Sequence, residues 1–82
     1  MVATPGALEA LKQASENAGG YLLRHMSCDW GDMSDEDKQL NEDAIKNGRR
    51  VMSVHHTSQG EKLYVITEAD RSVTTVLLPE EY

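Results

Sequence analysis

Three histidines and a single cysteine are the residues of this chain best suited to chemistry: His25, Cys28, His55 and His56. His25 and Cys28 stand three residues apart, a spacing that zinc sites use, and a strand could bring a further imidazole to them. Neighbours 55 and 56 point to opposite faces of a strand, so at most one of them joins, with Asp29 as a fourth donor. The structural alternative is a partly buried His25 hydrogen-bonded beside Trp30, with two surface histidines at a hairpin end. The same imidazoles also suggest acid–base work. His55 or His56 with Glu68, Asp70 and Arg71 would make a set able to cleave a phosphodiester, as small RNA-cleaving toxins do. Such an enzyme needs a basic face for RNA, and residues 49–82 offer only Arg49, Arg50, Lys62 and Arg71. Asp70 and Arg71 more simply form a local ion pair that fixes a tight turn.

The second concentration of chemistry is acidic. Residues 29–43 read DWGDMSDEDKQLNED and hold Asp29, Asp32, Asp35, Glu36, Asp37, Glu42 and Asp43 against one cation, Lys38. They carry the whole formal net charge of −6, because acids and bases balance elsewhere. Carboxylates spaced along a helix can imitate a phosphate ladder and steer a basic groove towards them. Lys38 and Lys46 interrupt that ladder, and the plainer reading is a solvated, well-capped helix. Asp29, Asp32 and Asp35 recur every three residues, but the alternating acids and terminal Glu of a calcium loop are missing. Trp30 is either a core anchor whose indole N–H finds an acceptor, or an interface hot spot flanked by acids. Asp32, Glu42 and Asp43 have the least structural reason to be acidic. The partner-binding set is therefore Trp30, Asp32, Asp35, Glu36, Asp37, Glu42 and Asp43, with no cofactor, no catalytic group and His25 and Cys28 as weak metal candidates.

The elements that must position these groups follow from pattern. Thr4 and Pro5 begin a helix, with Ala7, Leu8, Leu11, Ala14 and Ala18 as its apolar stripe and Gly19-Gly20 as its end. Residues 21–26 read as a second short helix packing Leu22, Leu23 and Met26. Ser34 caps a third helix through a capping-box-like Ser-Asp-Glu-Asp, its first-turn acids suit the helix dipole, and Gly48 ends it. Its apolar face is thin (Leu40, Ala44 and Ile45), and Glu42 stands correctly for an ion pair with Lys46. After Gly48 the period changes to alternation. Residues 50–56, 62–67 and 72–78 read as strands, joined by a loop at 57–60 and a tight connection at 68–71, with Pro79 as the stop. The expected fold is α+β: two to three N-terminal helices (4–47) packed on one face of a three-stranded antiparallel β-meander (49–79), in a single domain (1–82). The other sheet face needs wrapping helices or a second subunit, so a homodimer through that face is expected as one solution.

Size and composition narrow the function classes. A chain of 82 residues buries only roughly 60–65% of its unfolded surface. A single cysteine excludes an internal disulfide and fits a reducing cytoplasm. No stretch reaches the ~18 apolar residues of a membrane span, and the start MVATPGALEALKQ lacks the basic and apolar regions of a secretory signal. A pI near 4.8 argues against direct nucleic-acid binding.

The strings DWGDMSDEDKQLNEDAI, GRRVMS and ITEADRSVTTVLLPEEY resemble a family of short bacterial proteins with no assigned activity, carried on plasmids and other mobile or accessory DNA. The resemblance covers residues 21–82. Similar chains often carry glycine where Cys28 stands, which argues against a ligand or nucleophile there. Some are labelled as type I restriction modification subunits, a label these residues do not support. An adenine methyltransferase needs a longer Rossmann-like sheet, a glycine-rich loop and an Asn-Pro-Pro-Tyr-like motif, and Leu78-Pro-Glu-Glu-Tyr82 is not that motif. The resemblance and the acidic segment together imply a non-enzymatic accessory protein that binds another protein with a basic surface. The alternatives are a DNA-mimicking, antirestriction-type inhibitor and a small RNA-cleaving toxin.

Overall fold

In the computed structural model, which describes residues 1–82, the chain runs β1 (Val2–Ala3), α1 (Pro5–Gln13), α2 (Ala18–Met26), α3 (Asp35–Asn47), β2 (Val51–His56), β3 (Lys62–Thr67) and β4 (Thr74–Leu77). A 3-10 turn at Pro79–Glu81 follows β4. The α+β class is as expected, but the pure meander is not. The sheet has four strands in the order β1-β4-β3-β2, antiparallel from β2 to β4 and parallel between β1 and β4. A two-residue strand has no period to read, so β1 left no trace in the pattern. Nor are the helical turns all N-terminal: β1 precedes α1, and the 3-10 turn closes the sheet end. The Glu81 carboxylate in that turn accepts from the Thr4 hydroxyl and the Gly6 and Leu78 amides, tying the turn to the start of α1.

The helix starts follow their caps. Thr4 accepts from the Ala7 amide and Ser34 from the Asp37 amide, at 3.3 and 3.1 Å. The ends are less conventional. All three helices finish with a left-handed residue followed by an amide that reaches back five positions: Glu16 to Leu11, Asp29 to Arg24 and Arg49 to Ala44. The left-handed residues are Ser15 (φ 56°), Cys28 (φ 63°) and Gly48 (φ 65°). Only the third uses glycine, so α1 ends six residues before the expected Gly19-Gly20, which instead lie inside α2.

Helices α1 and α2 cover one sheet face, where Ala7, Leu11, Ala18 and Tyr21 bury Leu63, Val65 and Val76. Leu8, Leu23 and Met26, expected in that core, are exposed. The third helix does not join this layer. It lies along the outer edge of β2, turned so that Asn41 and Ala44 are buried while Leu40 and Ile45 are 64% and 43% exposed. The reason is the edge itself, whose free backbone groups need partners more than the helix needs its leucine buried. Asn41 supplies them, donating to the Met52 carbonyl at 2.6 Å and accepting from the Met52 amide at 3.1 Å. On the opposite sheet face Tyr82 stands edge-on to Tyr64, and the Arg50 guanidinium lies over the Tyr82 ring and donates to its hydroxyl. The chain's own C-terminal turn thus covers part of the face for which a second subunit was one expected cover.

Candidate functional site

Helix α2 lays Tyr21 and His25 against β2, and His25 becomes the centre of a buried polar chain. Its Nδ1 is 2.7 Å from the Ser53 hydroxyl, which is 3.1 Å from Nε2 of His55. Its Nε2 is 2.9 Å from the Thr67 hydroxyl, which is 2.8 Å from that of Thr74. Five polar side chains from α2, β2, β3 and β4 are therefore joined in one line across an otherwise apolar layer. His55 is 1% exposed, and its Nδ1 is buried with no hydrogen-bond partner.

That orphan atom fixes the direction of the chain. A bare buried lone pair is less costly than an orphaned N–H, so His55 is assigned as the Nε2–H tautomer. It then donates to Ser53, Ser53 to His25, His25 to Thr67 and Thr67 to Thr74. Burial pushes both imidazoles towards the neutral form. His25 is lowered from 6.5 to about 4, first by burial and then by nearby His55. His55 is lowered by burial and by Arg24, against the opposing pull of Asp29 and Asp32. A serine hydroxyl this close to an imidazole is the arrangement of an activated nucleophile. Ser53 is fully buried, however, and lines none of the surface cavities, so no substrate reaches it.

Residues 28–33 pass over this chain at the β2 edge. Gly31 pairs with Val54 in a parallel bridge; the Val54 amide donates to the Trp30 carbonyl at 3.0 Å and the Asp32 amide to the Val54 carbonyl at 2.7 Å. Gly31 has φ +72°, and an added Cβ would sit 2.0 Å from the Val54 oxygen and 2.7 Å from Nδ1 of His55. Only glycine allows so close an approach. Trp30 is 4% exposed, packs with Ala44 and Val51, and stands edge-on to His25 with ring centres 5.6 Å apart. Its indole N–H points to Glu42 at 3.4 Å, so the ring is the core anchor of the segment. The outer fastenings are two exposed ion pairs, Arg24 with Asp29 at 2.7 Å and His56 with Asp32 at 2.6 Å. Each holds its carboxyl below the usual carboxylate range.

The acids with the least expected structural reason mostly have one: Asp32 holds His56, Glu42 faces the Trp30 indole and Asp43 accepts from Gln39. Asp35, Glu36, Asp37 and Asp43 remain on the exposed side of α3. The expected Glu42–Lys46 pair does not form; the two ion pairs of residues 28–33 are the only ones in the chain. Beside the helix, Met33, Leu40, Met52, Tyr64 and Tyr82 line an open groove of about 370 Å³, with Asp37 and Arg50 at its rim.

The other expected sets are dispersed. His25 and His55 meet, but through Ser53; His56 lies on the opposite sheet face and Cys28 is exposed. No three His, Cys, Asp or Glu side chains are arranged to hold a metal ion. Glu68, Asp70 and Arg71 lie at the opposite end of the β2–β3 pair from His55 and His56. Asp70 accepts from the Ser72 amide, and Arg71 donates to the carbonyls of Arg49 and Glu68, so their expected ion pair is absent. Sequence reasoning missed Asn41, Ser53 and Thr67. The available signal was polar residues at inward-facing positions: Asn41 three before Ala44, and Ser53 and Thr67 in alternation with Val51 and Val65. No helix is long and apolar enough to cross a membrane. Compared with known proteins, the chain matches no family model, no curated protein and no solved structure.

Proposed function

We propose that this chain is a non-enzymatic, cytoplasmic protein-binding module of the accessory kind its sequence resembles. Its partner presents an apolar side chain flanked by Lys or Arg. The observation that carries the reading is Leu40, exposed at the mouth of an apolar groove on a helix whose outer carboxylates have no ion-pair partner. Glu36, Leu40 and Asp43 fall on one stripe of α3, at spacings of four and three. A basic residue beside an apolar anchor would meet carboxylates on the helix side, while the anchor enters between Leu40, Met52 and the two tyrosines. The two methionines make the groove adaptable in shape, and the acids steer a basic partner to it. Mimicry of a phosphate ladder draws less support, because Lys38 and Lys46 break the row and Glu42 is turned towards Trp30.

The test is capture of a partner from cells that carry the gene, with the wild type beside Leu40→Gln and Glu36→Gln/Asp43→Asn. A protein held by the wild type and by Leu23→Gln, on α2, but lost by both α3 variants and released by moderate salt supports the reading. Equal retention by every variant rules out this groove as the contact.

A further inference from the structure

The His55–Ser53–His25 chain has places for one proton per junction and no more. With both imidazoles neutral, every hydroxyl and ring N–H has an acceptor, down to Thr74. An extra proton on His25 must sit on Nδ1, against the Ser53 hydroxyl that donates to it. Ser53 can turn its hydrogen towards His55 only if His55 moves its own proton to Nδ1, the orphan position. An extra proton on His55 goes to that same atom directly. By either route, acid creates a buried N–H donor beneath Gly31, where the Val54 carbonyl already accepts from Asp32. Such a donor is costly to bury, and more so when it carries a charge. Trp30 cannot relieve it, since both His25 nitrogens are committed to Ser53 and Thr67.

The groups around the two rings decide what gives way. From α2 come Tyr21, whose ring centre is 5.6 Å from that of His55, and Arg24, which opposes further positive charge. From β2 comes His56, and from α3 comes Glu42 behind the indole. Arg71, from the β3–β4 turn, and Cys28 share a crevice with His25. The only anions that favour a charged His55 are Asp29 and Asp32, and both ride on residues 28–33. They already act on His55 from the seated segment, but neither carboxylate reaches the unpartnered Nδ1, so a proton there finds an acceptor only in water, which enters when the segment lifts off Val54.

We propose that residues 28–33 form an acid-released clasp: a proton taken into the buried His55–Ser53–His25 chain unseats this segment, and Trp30 with it, from the edge of β2. Release leaves the Val54 amide and carbonyl open on that edge, where an added strand could pair. On the exposed side the His56–Asp32 contact ties the segment down and so opposes its release.

Trp30 is the only tryptophan, so its emission reports the clasp directly. The full chain is titrated from pH 7.5 to 4, following Trp emission, far-ultraviolet circular dichroism and the imidazole and indole proton resonances. The expected result is a shift to solvated-indole emission with a midpoint between the ordinary histidine value of 6.5 and about 4, while the dichroism persists. The indole resonance should share its midpoint with His25 or His55 and not with His56. In His55→Gln the transition should move to lower pH or vanish, and in His56→Gln it should move to higher pH. Emission that does not shift, dichroism lost at the same midpoint, or an indole that titrates with His56 would each overturn the clasp. The resonance comparison needs only the wild type, so it stands even if His55→Gln fails to fold.

Discussion

The side-chain amide of Asn41 bonds both backbone groups of Met52, acting as one residue of an extra strand laid along β2. This contact anchors α3 to the sheet and seals an edge that would otherwise offer its backbone to another chain. Replacing Asn41 with Leu removes both bonds and leaves a half-buried amide and carbonyl unsatisfied. The expected loss is about 2–6 kcal/mol, at ~1–3 for each orphaned group. Leu40→Gln, one residue earlier but exposed, should stay within about 0.5 kcal/mol of the wild type. Urea denaturation of the two variants makes the comparison. Near-equal stability would mean that Asn41 does not hold the edge.

Residue 28 ends α2 in the left-handed region, at φ 63°, a conformation that glycine adopts without strain. An L side chain there costs roughly 1–2 kcal/mol, and glycine returns part of that gain as unfolded-state entropy. Cys28→Gly should therefore stabilise the chain by about 0.5–1 kcal/mol, raising Tm by several degrees, at ~4–8 °C per kcal/mol for a domain of this size. Cys28→Ala keeps the strain and should show no such gain. A thermal melt in which alanine matches glycine would place the effect in the thiol and not in the backbone.

These particulars show what the sequence made legible. Ser34, Gly48, the 57–60 hairpin and β3 were readable because each uses the residue its geometry favours. The ends of α1 and α2 were not, because Ser15 and Cys28 occupy positions that glycine would announce. The face of α3 was misread because one hydrogen-bonding requirement at the β2 edge outweighed burial of Leu40. The candidate site was legible only in fragments. His25, His55, Trp30 and Asp32 all attract attention by type, but the serine and threonine that join the imidazoles look like ordinary strand residues.

The approach of Gly31 to Val54 makes a severe prediction for a single methyl group. Alanine at 31 would put its Cβ 2.0 Å from the Val54 oxygen, a backbone atom that cannot swing aside, and would adopt a left-handed φ as well. Gly31→Ala should destabilise by about 3 kcal/mol or more, through lost edge bonds and strain together. Trp30 emission should move towards that of a solvated indole at neutral pH. A variant with wild-type emission and stability would show that the segment does not sit so tightly on β2.

Neutral burial of His25 also links folding to pH, and the sign is fixed. Its folded value, about 4, lies below the ordinary 6.5, so below pH 6.5 the unfolded chain binds the proton that the folded chain refuses. Stability is therefore full above pH 6.5, falls as pH drops from 6.5 to about 4, and loses nothing further from this group below that. A shift of this size corresponds to about 3 kcal/mol for His25 alone. His55, shifted in the same direction, adds to the loss. Urea midpoints measured at pH 7.5, 5.5 and 4.5 should fall in that order. A midpoint that is flat or rising towards pH 4.5 would require the buried imidazoles to be charged in the folded state, contrary to the one-directional chain through Ser53.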